Sequence, residues 1–197
     1  MDNPYWHTDG QRHHINTETI EILCFELLNI FEASCPIAEK FEEQESELGE
    51  EQTIENYPLL QLHQKYAFIQ ISKLLLQIAL VLRTFDDQMK DSDNQKVYKE
   101  YIEKIDDGKY VGMIEGQDMF NYREACNKII HASEIRPLYE RVDRKIAGES
   151  ENLFLNQDVW YLTGEIELSG KHGDNKWNAN IHVQEFIETI LDLIRFK

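Results

Sequence analysis

At 197 residues the chain is long enough to bury a core of its own as one domain, and it needs no disulfide framework. Its 37 acidic against 20 basic side chains give a net charge of -17, a field that repels nucleic-acid phosphates and anionic lipid, so any nucleic-acid contact has to be local. The three cysteines, Cys24, Cys35 and Cys126, are odd in number and lack a Cys-x-x-Cys spacing, which reads as reduced thiols in a cytoplasmic protein.

Residues 1–16 form a polar arm without the basic start and apolar run of a secretory signal. From Thr17 the residues Ile20, Leu23, Cys24, Leu27, Ile30 and Phe31 recur at helical spacing. Asn16 serves as N-cap, and Pro36 predicts that this helix ends near Ser34. Glu39 to Glu55 carries eight glutamates against one basic residue, Lys40, and predicts an acidic mobile loop or frayed helix. Asn56 and Pro58 open a long helix that stops between Asp86 and Asp91. Apolar residues crowd nearly all its sides from Ile69 to Leu82, so it is expected as a buried central pillar rather than a membrane span.

Val97, Tyr98, Tyr101, Ile102 and Ile105 predict a short amphipathic helix closed by Asp107-Gly108. The following YVGMIEG is ambiguous, its glycines favouring a loop, and a helix is predicted from about Gln117 to Ser133. After Pro137 the spacing of Leu138, Val142 and Ile146 fits an irregular strand or a turn of helix. Alternation about Trp160–Leu168 and Trp177–Val183 predicts two strands joined by the loop 169–175, and Phe186 to Ile194 predicts a final amphipathic helix. The expected fold is mainly α: a helical bundle over 17–137, with a small antiparallel hairpin and a last helix over 138–197 packed on it.

Of the seven histidines, His7, His13 and His14 lie in the polar arm, His172 at a hairpin tip and His182 on the polar face of a strand. His63 has no partner at i+4 for a ligand pair, and there is no HExxH, phosphate-binding glycine loop or Gly-x-Ser-x-Gly. No metal and no cofactor is expected. What stands out is Tyr122 to Pro137, where Arg123, Asn127 and His131 fall at i, i+4 and i+8 and share one helical stripe. Such a set suits a phosphodiester: Arg123 as clamp, Asn127 to orient, and His131 to move the proton at a ribose 2′-hydroxyl or the leaving oxygen. Lys128 and Arg136 are the candidate substrate-binding cations, because Arg123 to Lys145 holds six Lys or Arg against four acids. The bland alternative pairs Asn127 with His131 to satisfy a neighbouring loop or the hairpin, and Arg123 with a surface carboxylate.

This segment resembles the HEPN superfamily, helical-bundle proteins whose active members are metal-independent endoribonucleases of defence and toxin-antitoxin systems and usually act as dimers. The resemblance lies in Asn127-Lys-Ile-Ile-His131 on a late helix. It departs where the family's arginine would fall, because Glu124, Ala125 and Cys126 stand there and seven residues separate Arg123 from His131. The resemblance implies RNA cleavage with His131 at the reacting bond and a homodimer; RNA or nucleotide would bind at the local basic groove, and no membrane association is expected. The rival expectation is a non-catalytic acidic interaction or regulatory protein that binds a protein partner and presents an exposed apolar or acidic patch.

Overall fold

The computed structural model describes residues 13–48, 57–115, 118–142 and 159–196. Among these the chain is mainly helical, with helices α1 (Thr17–Leu48), α2 (Pro58–Lys90), α3 (Gln95–Asp106), α4 (Tyr122–His131) and α5 (Val183–Ile194). The strands are β1 (Gly112–Ile114), β2 (Asp118–Phe120), β3 (Ala132–Arg141), β4 (Trp160–His172) and β5 (Asn175–His182). They form one antiparallel sheet in the order β2-β1-β5-β4-β3, larger than the expected hairpin.

The first helix does not end at Ser34. Pro36 lies inside α1 and, lacking an N–H, leaves the Glu32 carbonyl without its helical partner, a break that costs roughly 3 kcal/mol in a helix interior. Packing offsets it. Ala38 and Phe41 are fully buried against Leu60, Val142 and Val159, with the Phe41 and Tyr57 rings 5.6 Å apart. Burying one such apolar side chain is worth roughly 1.5–3 kcal/mol. Residues 39–48 of the expected acidic loop are therefore helical, and the remainder, 49–55, lies outside the described residues. Ser34, two residues before the proline, accepts from the Leu162 N–H at 2.9 Å and ties α1 to β4.

The centre of YVGMIEG, Gly112–Ile114, is a strand rather than loop, and Asp118–Phe120 is a second strand paired with it. A side chain at position 112 would meet the Asn180 carbonyl oxygen and the Phe120 ring, so glycine is what lets β1 lie between β5 and β2. That pairing takes residues 118–120 out of the expected helix, and α4 begins at Tyr122 after Asn121, whose Oδ1 accepts from the Glu124 N–H at 3.1 Å. At the other end α4 passes directly into β3, so Ala132 to Arg136 are strand. Of the two alternatives for residues after Pro137, strand is the one adopted, with register shifts between Ala132 and Glu134 and between Pro137 and Tyr139. Because β3 runs through residue 137, the stretches expected to be bundle and appendage share one sheet.

The hairpin of β4 and β5 is tighter than the expected loop, with His172 paired to Asn175 across Gly173 and Asp174. Gly173 takes φ +61°, the left-handed value that a two-residue hairpin turn needs at its first central position. Leu162, Ile166 and Leu168 of β4 and Trp177, Ala179 and Ile181 of β5 are buried and join Ile20, Leu27, Ile71, Leu75, Ile78, Phe186 and Ile190 in one core. The sheet thus has one face on the helices and one half-exposed face.

The long helix is a pillar on one side. Leu60, Ala67, Ile71, Leu74, Leu75, Ile78, Ala79, Leu82 and Phe85 are buried, whereas Leu59, Leu62, Tyr66, Phe68, Ile69, Leu76 and Leu80 are exposed. By length and composition α2 is apolar enough to cross a bilayer, but 39% of its most apolar window is buried within this fold.

Candidate functional site

α4 lies along the C-terminal half of α2, and the expected stripe Arg123, Asn127 and His131 falls at that contact. The structure gives the three residues different fates. Arg123 is taken up by carboxylates: its Nη1 pairs with Asp86 and its Nη2 donates to Asp87 Oδ1 at 2.8 Å. Asn127 accepts from Arg83 Nη1 through Oδ1 at 2.8 Å and donates from Nδ2 to Glu124 Oε2 at 3.1 Å. His131, at the end of α4, is exposed.

The centre of this arrangement is Asp86, which is fully buried. Its Oδ1 accepts from the hydroxyls of Tyr98 on α3, at 3.1 Å, and Tyr122 on α4, at 3.0 Å. Its Oδ2 takes Lys90 Nζ at 2.8 Å and the Arg123 guanidinium. Burial holds both tyrosine hydroxyls well above their ordinary range, so they remain donors. Burial, and then the neighbouring Arg83, bring the Arg123 guanidinium below its usual value, and burial likewise lowers Lys90. A buried carboxylate demands this many partners, since an unpaired charge out of water costs several kcal/mol. The group is a junction that fixes α3 and α4 to the end of α2.

Lys128 and Arg136 are not brought to this place. Lys128 sits with its ammonium 4.3 Å from the centre of the Trp177 ring and 3.5 Å from Glu124, packed over the sheet. Gly170, opposite Trp177 in the β4–β5 register, leaves the space that the indole fills. Arg136 stands on β3, 72% exposed, with Glu167 at 3.3 Å. The basic excess between Arg123 and Lys145 is thus divided between an ion-pair junction and the sheet, and its last members lie outside the described residues.

Sequence reasoning missed Arg83, Asp86, Tyr98 and Tyr122. The signal available was an acid, Asp86, at the end of an apolar helix with Lys90 one turn on, together with two tyrosines on apolar faces. Nothing in the spacing says that three helices converge on it. Among the described residues no group of three or more His, Cys, Asp or Glu is placed to hold a metal ion. Cys24 and Cys126 are buried thiols, each pushed up to about 12 by burial, which makes them packing groups rather than nucleophiles.

A second feature lies on the outer face of α2, away from the core and beside the α4 contact. Leu59, Leu62, Tyr66, Ile69, Leu76 and Leu80, each 42–57% exposed, follow helical spacing and form one row about 32 Å long at 1.5 Å per residue. Leu76 and Phe68 also border a groove of about 470 Å³, whose other walls include Ile129, Ile130 and Ile135. Monomeric proteins rarely leave a contiguous apolar patch beyond a few hundred Å². Comparison with known protein families, curated proteins and solved structures finds no match for the chain.

Proposed function

We propose that the chain is a non-catalytic interaction protein that docks a partner on the outer face of α2. The observation that carries this reading is the exposed row from Leu59 to Leu80, an apolar surface left on the 33-residue helix α2 of an otherwise strongly charged chain. The stripe of Arg123 and Asn127 supports it by contrast, since both side chains are engaged within the fold. A fluorescent helical peptide with a leucine stripe and glutamine at its flanks tests the docking face. It binds the wild type, measured by anisotropy, and loses binding to a Leu62→Gln, Ile69→Gln, Leu80→Gln variant that melts at the wild-type temperature. Equal binding to both proteins, or none to either with glutamine, glutamate or lysine at the flanks, overturns the reading.

A second reading is favoured by the exposure of His131. In it His131 moves a proton in metal-independent RNA cleavage or lines an RNA contact of the HEPN kind, with Arg83 and Arg123 as neighbouring cations, and Lys128 and Arg136 as outlying ones. Two copies would complete the groove. Cleavage of a mixed RNA pool in chelator that His131→Ala abolishes would establish this reading in place of the first, and no cleavage by wild type would remove it.

A further inference from the structure

The outer face of α2 differs from the rest of the molecule in charge as well as polarity. From Pro58 to Phe85 the helix holds no aspartate or glutamate, while the chain as a whole has 37 in 197 residues. The exposed polar side chains of this stretch are Gln61, Gln64, Lys65, Gln70, Lys73 and Gln77. Lys65 lies with its ammonium 5.1 Å from the Tyr66 ring centre, at the margin of the apolar row, and Lys73 stands between Ile69 and Leu76 on the same side of the helix. The carboxylate bordering the adjoining groove, Glu134, accepts from Ser169 Oγ at 3.4 Å.

We infer that the occupant of this face is an acidic amphipathic helix of another protein, its apolar stripe on the row from Leu59 to Leu80 and its carboxylates over Lys65 and Lys73. The inference rests on the docking reading above and adds the partner's chemistry to it. Apolar side chains at i, i+3 or i+4 and i+7 on one helix mesh with the same spacing on another. Carboxylates on the partner gain the two lysines and meet no like charge on α2 between Pro58 and Phe85, the exposed Asp87 beyond that stretch being paired with Arg83 and Arg123, whereas a basic partner would meet lysines and no acids there. Two other occupants fit less well. An anionic membrane, being wide, would also confront the surrounding acidic surface of a chain of charge -17. A second copy that laid α2 on α2 would bring lysines together without an acid to pair them.

The test compares three peptides that share one leucine stripe and carry glutamate, glutamine or lysine at the flanking positions. The glutamate peptide is expected to bind about tenfold tighter than the lysine peptide. The Lys65→Glu, Lys73→Glu variant, checked for an unchanged melting temperature, is expected to reverse that order. Equal affinity for all three peptides overturns the acidic partner and leaves the docking face standing; no binding of any peptide overturns both. Sedimentation of the wild-type chain and flotation with phosphatidylglycerol vesicles complete the set. A dimer or vesicle binding that the double variant abolishes would assign the face to a second copy or to lipid and overturn the inference.

Discussion

The two sides of α2 invert the usual distribution of residues in the same helix. Its inner C-terminal end buries a charge, Asp86, and its outer face exposes leucine and isoleucine. Of the two anomalies, the buried charge is fully answered within the chain, by two hydroxyls, an ammonium and a guanidinium. The apolar row has no such answer within the described residues. A buried polar group that is satisfied points to architecture, whereas an exposed apolar surface that is not points outward, to something it binds.

That contrast can be broken by measurement. Asp86→Ala should cost about 3 kcal/mol in urea denaturation, because it leaves the buried Tyr98 and Tyr122 hydroxyls without their acceptor and takes from Arg123 one of its two carboxylates and from Lys90 its ion-pair partner. A loss below about 1 kcal/mol would place the group among ordinary surface pairs and erase the distinction. The adjacent leucines of α2 sharpen it further. Leu75 is fully buried and Leu76 is 42% exposed, so Leu75→Ala should cost about 3 kcal/mol and Leu76→Ala no more than about 0.5 kcal/mol by the same assay. Comparable losses would mean that the outer row is packed in solution.

Between those values, Tyr98→Phe and Tyr122→Phe should each lose about 1.5 kcal/mol, the worth of a hydrogen bond to a charged group. Their double variant should depart from additivity, since both donate to the same oxygen. The smallest effect concerns pH. Burial raises the Asp106 carboxyl above the ordinary aspartate range, against the pull of Asn121 and Lys90. The folded state then holds this proton more tightly than the unfolded state does. Its contribution to stability is present at pH below the ordinary aspartate value and is lost as pH rises through the raised one. Asp106→Asn should therefore gain relative to wild type as the pH of a denaturation series rises through the mildly acidic range. A difference that does not change with pH would show that the carboxyl is hydrated.

Much of the helical content was legible in the chain because period and caps are local. The start of α1 at Thr17, the opening of α2 at Pro58 and the α5 stripe follow from nearest neighbours in sequence. The proline at 36 misled because its cost is local while the burial of Ala38 and Phe41 that offsets it comes from β4, α2 and the end of β3. The candidate site was legible as a stripe and no further. Arg123, Asn127 and His131 do line up on α4, but whether the arginine is free depends on Asp86 and Asp87, more than thirty residues away.

What the sequence determined by itself is the composition of each surface: the alternation of β4 and β5, the acid-free stretch of α2, and the cation, amide and imidazole of α4. What only the tertiary structure decided is which of those surfaces is covered. α2 has more apolar sides than the fold has neighbours to cover them, and packing of α1, α4 and the core fills one side and leaves the other to water. Burial is a property of neighbours brought from far along the chain, and no local pattern specifies it.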